Sequence, residues 1–130
     1  MKLNTVFIAN ATLCALFGVG FLAAPAMQFA TFGGQSSPLA EMVARVYGAS
    51  LLGYAITSWL ARKAEPSSAR NGIVVGNILF HLVGAGMLMT GMRAGTINAI
   101  GGLAVVLSLL LALGFVATGL VRANAASQTA

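Results

Sequence analysis

Charge is what this chain lacks. Only 7% of its 130 residues are charged, seven Lys or Arg against two Asp or Glu. A soluble domain carries nearer ~25%. Too little charge is present to coat a water-facing globule, so the expected solvent is lipid. With two acids and one histidine, there is also little material for acid–base catalysis. The single cysteine, Cys14, excludes an internal disulfide and gives no redox-compartment signal. Ala11-Thr12-Leu13 before it lacks the leucine a lipoprotein site has three residues upstream, and Cys14 reads as a small buried hydrophobe. No phosphate-binding G-x-x-x-x-G-K-[ST] loop, H-E-x-x-H or G-x-S-x-G is present. The net charge of +5 does not point to nucleic acid. The basic residues stand in turns and at ends, and form no patch interleaved with exposed aromatics.

What is there is apolar sequence in long runs. A spanning helix needs ~20 mostly apolar residues, and four stretches qualify: about 6–24, 39–60, 72–90 and 97–121. They are too long for strands and do not alternate in polarity as a transmembrane strand would. In lipid the backbone must satisfy its own hydrogen bonds, so the runs predict helices. The segments between them, "QFATFGGQSSP", "ARKAEPSSAR" and "GMRAG", are rich in turn formers. The expectation is therefore an all-α chain, one up-down bundle of four transmembrane helices spanning residues 1–130.

Loop charges predict orientation. Lys2, the group Arg62, Lys63 and Arg70, and Arg122 alternate with a side that holds only Arg93, plus Arg45 if it reaches that surface. Both termini then face the cytoplasm. A rival reading takes Lys2, the first apolar run and "APA" at 24–26 as a secretory signal with its cleavage site. The run is long for a signal core, Pro25 is unusual inside the triplet, and Asn10 and Thr12 suggest packing against other helices. A retained first helix is the expectation.

Ionisable and polar groups inside spanning segments cost roughly 2.5–3.5 kcal/mol each when charged, so they are the candidate functional residues. Glu41 and Arg45 lie four apart near the outer start of the second helix, with Glu on the N-terminal side, the better order for an ion pair. The simplest role is an interfacial ion pair with Arg45 reaching outward. Alternatives have Arg45 holding a lipid headgroup, a substrate oxygen or a helix end inside the bundle. Glu41, Arg45, Ala49, Leu52, Ile56 and Trp59 share one helical stripe, and Trp59, Arg62 and Lys63 read as interfacial anchors. In "GNILFHLVGAG" at 76–86, Asn77 and His81 share a face with Arg70, Val74 and Leu88. Lipid offers them no partners, so this face should turn inward, as a structural interhelical hydrogen bond, a sterol-like ligand contact or a proton relay. A lone histidine supplies one axial ligand, so haem would need a second from elsewhere; no cofactor or metal is expected. "GIVVG" at 72–76 and "ASLLG" at 49–53 permit close helix crossings, within the bundle or in a homodimer. The fourth helix reads as scaffold.

"ARVYGASLLGYAITSWLAR" (44–62), followed by a third helix that starts from an arginine and holds "GNILFHLVGAG", resembles the small tetraspan bacterial proteins of the DUF4345 type, themselves loosely similar to DoxX-like four-helix membrane proteins. The resemblance covers most of the chain. Its motifs are R-x-Y-G near the start of the second helix, a tryptophan near its end and a histidine in the third. It implies four retained helices. Through DoxX-like relatives it also implies a quinone as a possible ligand. Three functions stay open. The first is a non-enzymatic membrane component that binds lipid or supports other membrane subunits. The second is a membrane subunit of a quinone-linked oxidoreductase, with Arg45, Asn77 and His81 around a headgroup. The third is a small transporter or channel. The four-helix multidrug exporters of this size rely on a glutamate in the first helix, which is absent here.

Overall fold

A computed structural model describes residues 2–120 of the chain; Arg122, counted above toward the cytoplasmic side, lies outside them. Every regular element among the described residues is helical, with no strand among them. Helix α1 (Leu3–Ala23) is followed by a short α2 (Pro25–Thr31), then α3 (Pro38–Ala61), α4 (Ser68–Arg93) and α5 (Ala99–Phe115), which runs on into a π-helical turn at Val116–Leu120. The four long helices fall on the four apolar runs. The seven-residue α2 fills part of the segment expected as turn.

Local chemistry sets these boundaries. Pro25 has no N–H and cannot continue α1, so the chain breaks at Ala24 (φ −141°, ψ 61°) and restarts with Pro25 at the first position of α2. Ser37, Ser67 and Asn98 cap α3, α4 and α5, their side-chain oxygens accepting from the N–H groups of Ala40, Arg70 and Ile100. Gly33 (φ +82°) and Gly95 (φ +71°) take the left-handed turns.

Contacts fix the directions. Phe7 of α1, Ala61 of α3, Val74 of α4 and Phe115 of α5 pack together at one end, with the Phe7 and Phe115 rings edge to face at 5.2 Å. Further along, Gly18 of α1 meets Gly48 of α3, and Leu22 meets Arg45. At the far end Gly91 of α4 lies against Ile97, just before α5. Neighbouring helices are therefore antiparallel. Lys2, Arg62, Lys63 and Arg70 gather near the Phe7 end, while Arg45 and Arg93 lie toward the other. The bundle is built as two hairpins, α1 on α3 and α4 on α5, with much thinner contact between the pairs. At the far end Asn98 ties them: its N–H donates to the Phe32 carbonyl and its Nδ2 to the Thr31 carbonyl.

Burial is inverted relative to a water-soluble protein. Leu16, Leu39, Leu60, Met87, Leu103 and Leu113 are each more than 60% exposed, while Asn10, Ser58, Asn77, His81 and Thr118 are buried. Three helical segments, Leu3–Ala23, Ser68–Arg93 and Ala99–Leu120, are long and apolar enough to cross a membrane. The expected fourth, α3, matches them in length, with 24 residues, but falls short in composition: Glu41, Arg45, Ser50, Thr57 and Ser58 dilute it.

The buried face of α4 holds Val74, Asn77 and His81, as expected, whereas that of α3 differs from the stripe drawn through Arg45. The buried face of α3 is Ala44, Gly48, Leu51, Ala55, Ser58 and Ala61, displaced by one residue from the expected stripe of Arg45, Ala49, Leu52, Ile56 and Trp59. Ala49, Ile56 and Trp59 are exposed. Polar and apolar residues are spread around α3, so it carries no strong azimuthal signal, and mainly small side chains pack against α1, with Arg45 reaching it only at the Leu22 carbonyl. Gly18 and Gly48 make the close crossing: a Cβ on Gly48 would lie 2.8 Å from the Gly18 carbonyl oxygen. Nothing comes near Gly53, Gly72 or Gly76, so the expected small-residue motifs at 49–53 and 72–76 make no crossing within the bundle.

Candidate functional site

The centre of the molecule is Asn10, a fully buried amide on α1. Its Nδ2 donates to Ser58 Oγ at 2.8 Å and to Asn77 Oδ1 at 2.7 Å. Its Oδ1 accepts from His81 Nε2 at 2.7 Å and from the Cys14 thiol at 3.6 Å. Two donors and two acceptor lone pairs are all used, the full capacity of an asparagine side chain. The network joins α1, α3 and α4. Away from water each of these groups would be costly unpaired, so together they set the rotation of three helices about one another.

The network also fixes its own polarity. Asn77 Nδ2 donates to the Ile73 carbonyl at 2.9 Å, which leaves Asn77 Oδ1 as the acceptor toward Asn10. Asn10 must then present Nδ2 to Asn77 and Oδ1 to His81. A neutral His81 facing that oxygen must carry its proton on Nε2, and its Nδ1 becomes a bare acceptor. That Nδ1 is buried and has no partner among the described residues.

Beside the network lies a cleft of about 1180 Å³ between the two hairpins. It reaches from His81 and Cys14 toward the far end, where Phe32, Gly33 and Thr96 contribute to its wall. Its lining is largely apolar and rich in rings, including Phe17, Phe21, Tyr47, Tyr54 and Phe80. Tyr54 of α3 and Phe80 of α4 meet across the hairpin boundary, ring centroids 4.5 Å apart, and Phe21 packs edge to face on Tyr47 at 5.3 Å. The volume, about 1180 Å³, is somewhat above the ~300–1,000 Å³ usual for small-molecule sites.

The structure brings Asn77 and His81 together and keeps Arg45 apart. Arg45 donates from Nη1 to the Leu22 carbonyl at 2.6 Å. That carbonyl is in the last turn of α1, where the break at Ala24 removes intrahelical partners, and a cation there also suits the helix dipole. Of the roles weighed for Arg45, this contact is the one with a helix end. No Glu41–Arg45 ion pair forms among the described residues, and Glu41 is half-buried. Leu22 and Asn10 are twelve residues apart on α1, about 18 Å along the axis, so Arg45 and His81 do not surround one headgroup. Trp59 is exposed, with the Arg62 guanidinium 3.6 Å from its ring centroid and also donating to the Trp59 carbonyl. Lys63 is exposed. Thr12 is exposed as well, so of the two polar residues in the first helix only Asn10 packs inside.

Sequence reasoning missed Ser58, and with it the hub role of Asn10. A polar residue in the middle of an apolar run was the available signal; which helix would meet it was not. Among the described residues, no three of His, Cys, Asp and Glu stand close enough to hold a metal ion. No protein-family model matches the chain, and no curated protein or solved structure matches it either.

Proposed function

We propose that this is a non-enzymatic integral protein of the bacterial inner membrane that holds a lipophilic molecule in the cleft between its two hairpins. The observation that carries this reading is the cleft itself, about 1180 Å³ and ring-lined, in a molecule whose outer surface is suited to lipid. All four long helices span the bilayer in this reading. The outward face of α3 is apolar, with Val43, Val46, Ile56 and Leu60 exposed. Its serine and threonine hydroxyls are satisfied inside the chain: Ser50 and Thr57 donate to the Val46 and Gly53 carbonyls, and Ser58 joins the Asn10 network. The end that gathers Lys2, Arg62, Lys63 and Arg70 faces the cytoplasm under the positive-inside rule. Helix α1 stays in the mature protein, because it supplies Phe7 to the core and Asn10 to the network.

The test is native mass spectrometry from mild detergent, on the wild type and on Gly84→Leu. Gly84 lines the cleft, and a Cβ there meets nothing within 4 Å, so a leucine at this position takes up part of the cleft. The expected result is a full-length mass with a bound lipophile in the wild type and a lower bound fraction in the variant, with thermal stability kept. Identical lipophile occupancy in both proteins would remove the cleft as the site. A mass lacking the residues up to Ala26 would replace the four-span reading with a cleaved leader.

A further inference from the structure

Resting on that reading, the geometry points to the kind of lipophile: one that carries a hydroxyl, seated by donating its O–H to His81 Nδ1. His81 is 5% exposed and lines the cleft, and its Nδ1 is the one polar side-chain atom of the network region left buried without a partner. Native interiors rarely leave such an acceptor unmet, and meeting it is worth a hydrogen bond made away from water.

The direction of that bond follows from the chain of amides. For Nδ1 to donate instead, neutral His81 would have to move its proton from Nε2, placing a bare nitrogen against Asn10 Oδ1 at 2.7 Å. Relieving that would need Asn10 to flip, which sets its oxygen against Asn77 Oδ1. Asn77 would then flip in turn and set its oxygen against the Ile73 carbonyl. Each flip trades a donor–acceptor pair for an acceptor–acceptor contact until the last one falls on a backbone carbonyl that cannot turn. The cleft therefore distinguishes a hydroxyl from a carbonyl or an ether on the same apolar body. A ligand with only acceptor oxygens, as an oxidised quinone has, finds no donor at His81. Nδ1 has no open surface, so the hydroxyl reaches it through a side-chain shift in the wall, the scale of change that binding commonly brings.

His81 is the only histidine in the chain, which makes it directly observable. The experiment uses full-length protein with [15N]histidine, a purification tag free of histidine, and phosphatidylcholine nanodiscs. The two probes are 2-naphthol and 2-methoxynaphthalene, nearly equal in shape but differing in the O–H. Partitioning is corrected with empty nanodiscs. The free protein should show the Nε2–H tautomer. Adding 2-naphthol should move the Nδ1 resonance upfield while the ether leaves it in place, and 2-naphthol should bind about 10-fold more tightly, the scale of one good hydrogen bond. A resting Nδ1–H tautomer overturns the inference. So does equal binding of both probes with an unmoved Nδ1, an outcome that leaves the lipophile-binding cleft standing. Failure of both probes to bind above empty nanodiscs overturns the inference together with the cleft reading beneath it.

Discussion

The two ends of this bundle are held in different ways. At the Phe7 end all four long helices converge. Phe7, Val74 and Phe115 are at most 1% exposed, and Gly119 lets Val74 approach so closely that a Cβ there would lie 2.7 Å from it. At the far end the hairpins stand apart around the cleft and are joined by the Asn98 hydrogen bonds, while the Tyr54–Phe80 pair joins them nearer the middle. In lipid there is little hydrophobic drive to bring helices together, so association depends on close packing and on interhelical hydrogen bonds. The closed end uses the first and the middle of the bundle uses the second. The open end has less of both, which is what opens the cleft. A cleft of this kind is obtained by leaving helices under-packed at one end while securing them at the other.

Three substitutions probe that contrast. Phe7→Ala should have the largest effect, a loss of roughly 3 kcal/mol as the ring contact with Phe115 becomes a void at the point where four helices meet. Thermal unfolding in nanodiscs would read it, and a loss no greater than that of Leu79→Ala at the cleft wall would erase the distinction between the ends. Asn10→Leu comes next. It removes the hydrogen bonds to Ser58, Asn77 and His81, each worth about 0.6 kcal/mol on average in a membrane protein, for a total near 2 kcal/mol. Asn10→Leu should also release the His81 tautomer, so the 15N spectrum of that single histidine would change even if the fold survives. Stability and spectrum both unchanged would mean the network does not hold the middle of the bundle. Smallest is Arg45→Met, which leaves the Leu22 carbonyl unpaired at the α1 end and should cost under about 1 kcal/mol, with Arg45→Lys recovering part of it. Hydrogen exchange at the last turn of α1 should rise in Arg45→Met while that of α5 stays constant. Exchange unchanged at α1 would return Arg45 to the simpler role of an anchor at the lipid surface.

Much of the helical framework was legible, and the reason is elementary. A run of about twenty apolar residues in lipid has few structures open to it other than a helix, and Pro25, Gly33, Ser37, Ser67 and Asn98 punctuate the runs in ways that turn and cap chemistry anticipates. Asn77 and His81 stood out because polar groups in apolar runs are costly without partners. The faces were less legible. In a soluble helix the boundary between greasy and polar sides gives its rotation; in α3 the outward residues Val46, Ile56 and Leu60 are as apolar as the inward Leu51 and Ala55, so the stripe drawn through Arg45 was one residue off the one that packs. Reading Arg45 into the same site as His81 failed for a related reason: charge marks a residue as special without saying where along a neighbouring helix it lands.

Composition and spacing by themselves determined that the described chain is helical, lipid-compatible, turned at its proline and glycine segments and basic toward one end. Only the tertiary structure decided that Asn10 meets Ser58, Asn77 and His81 at once, that Arg45 goes to the end of α1, and that the hairpins part to leave a ring-lined cleft. Helix formation is settled by each segment against its solvent. Pairing depends on the relative rotation and height of helices far apart in sequence, and among side chains so uniformly apolar, close packing at Gly18 and Gly48 and the saturation of one buried amide make that choice.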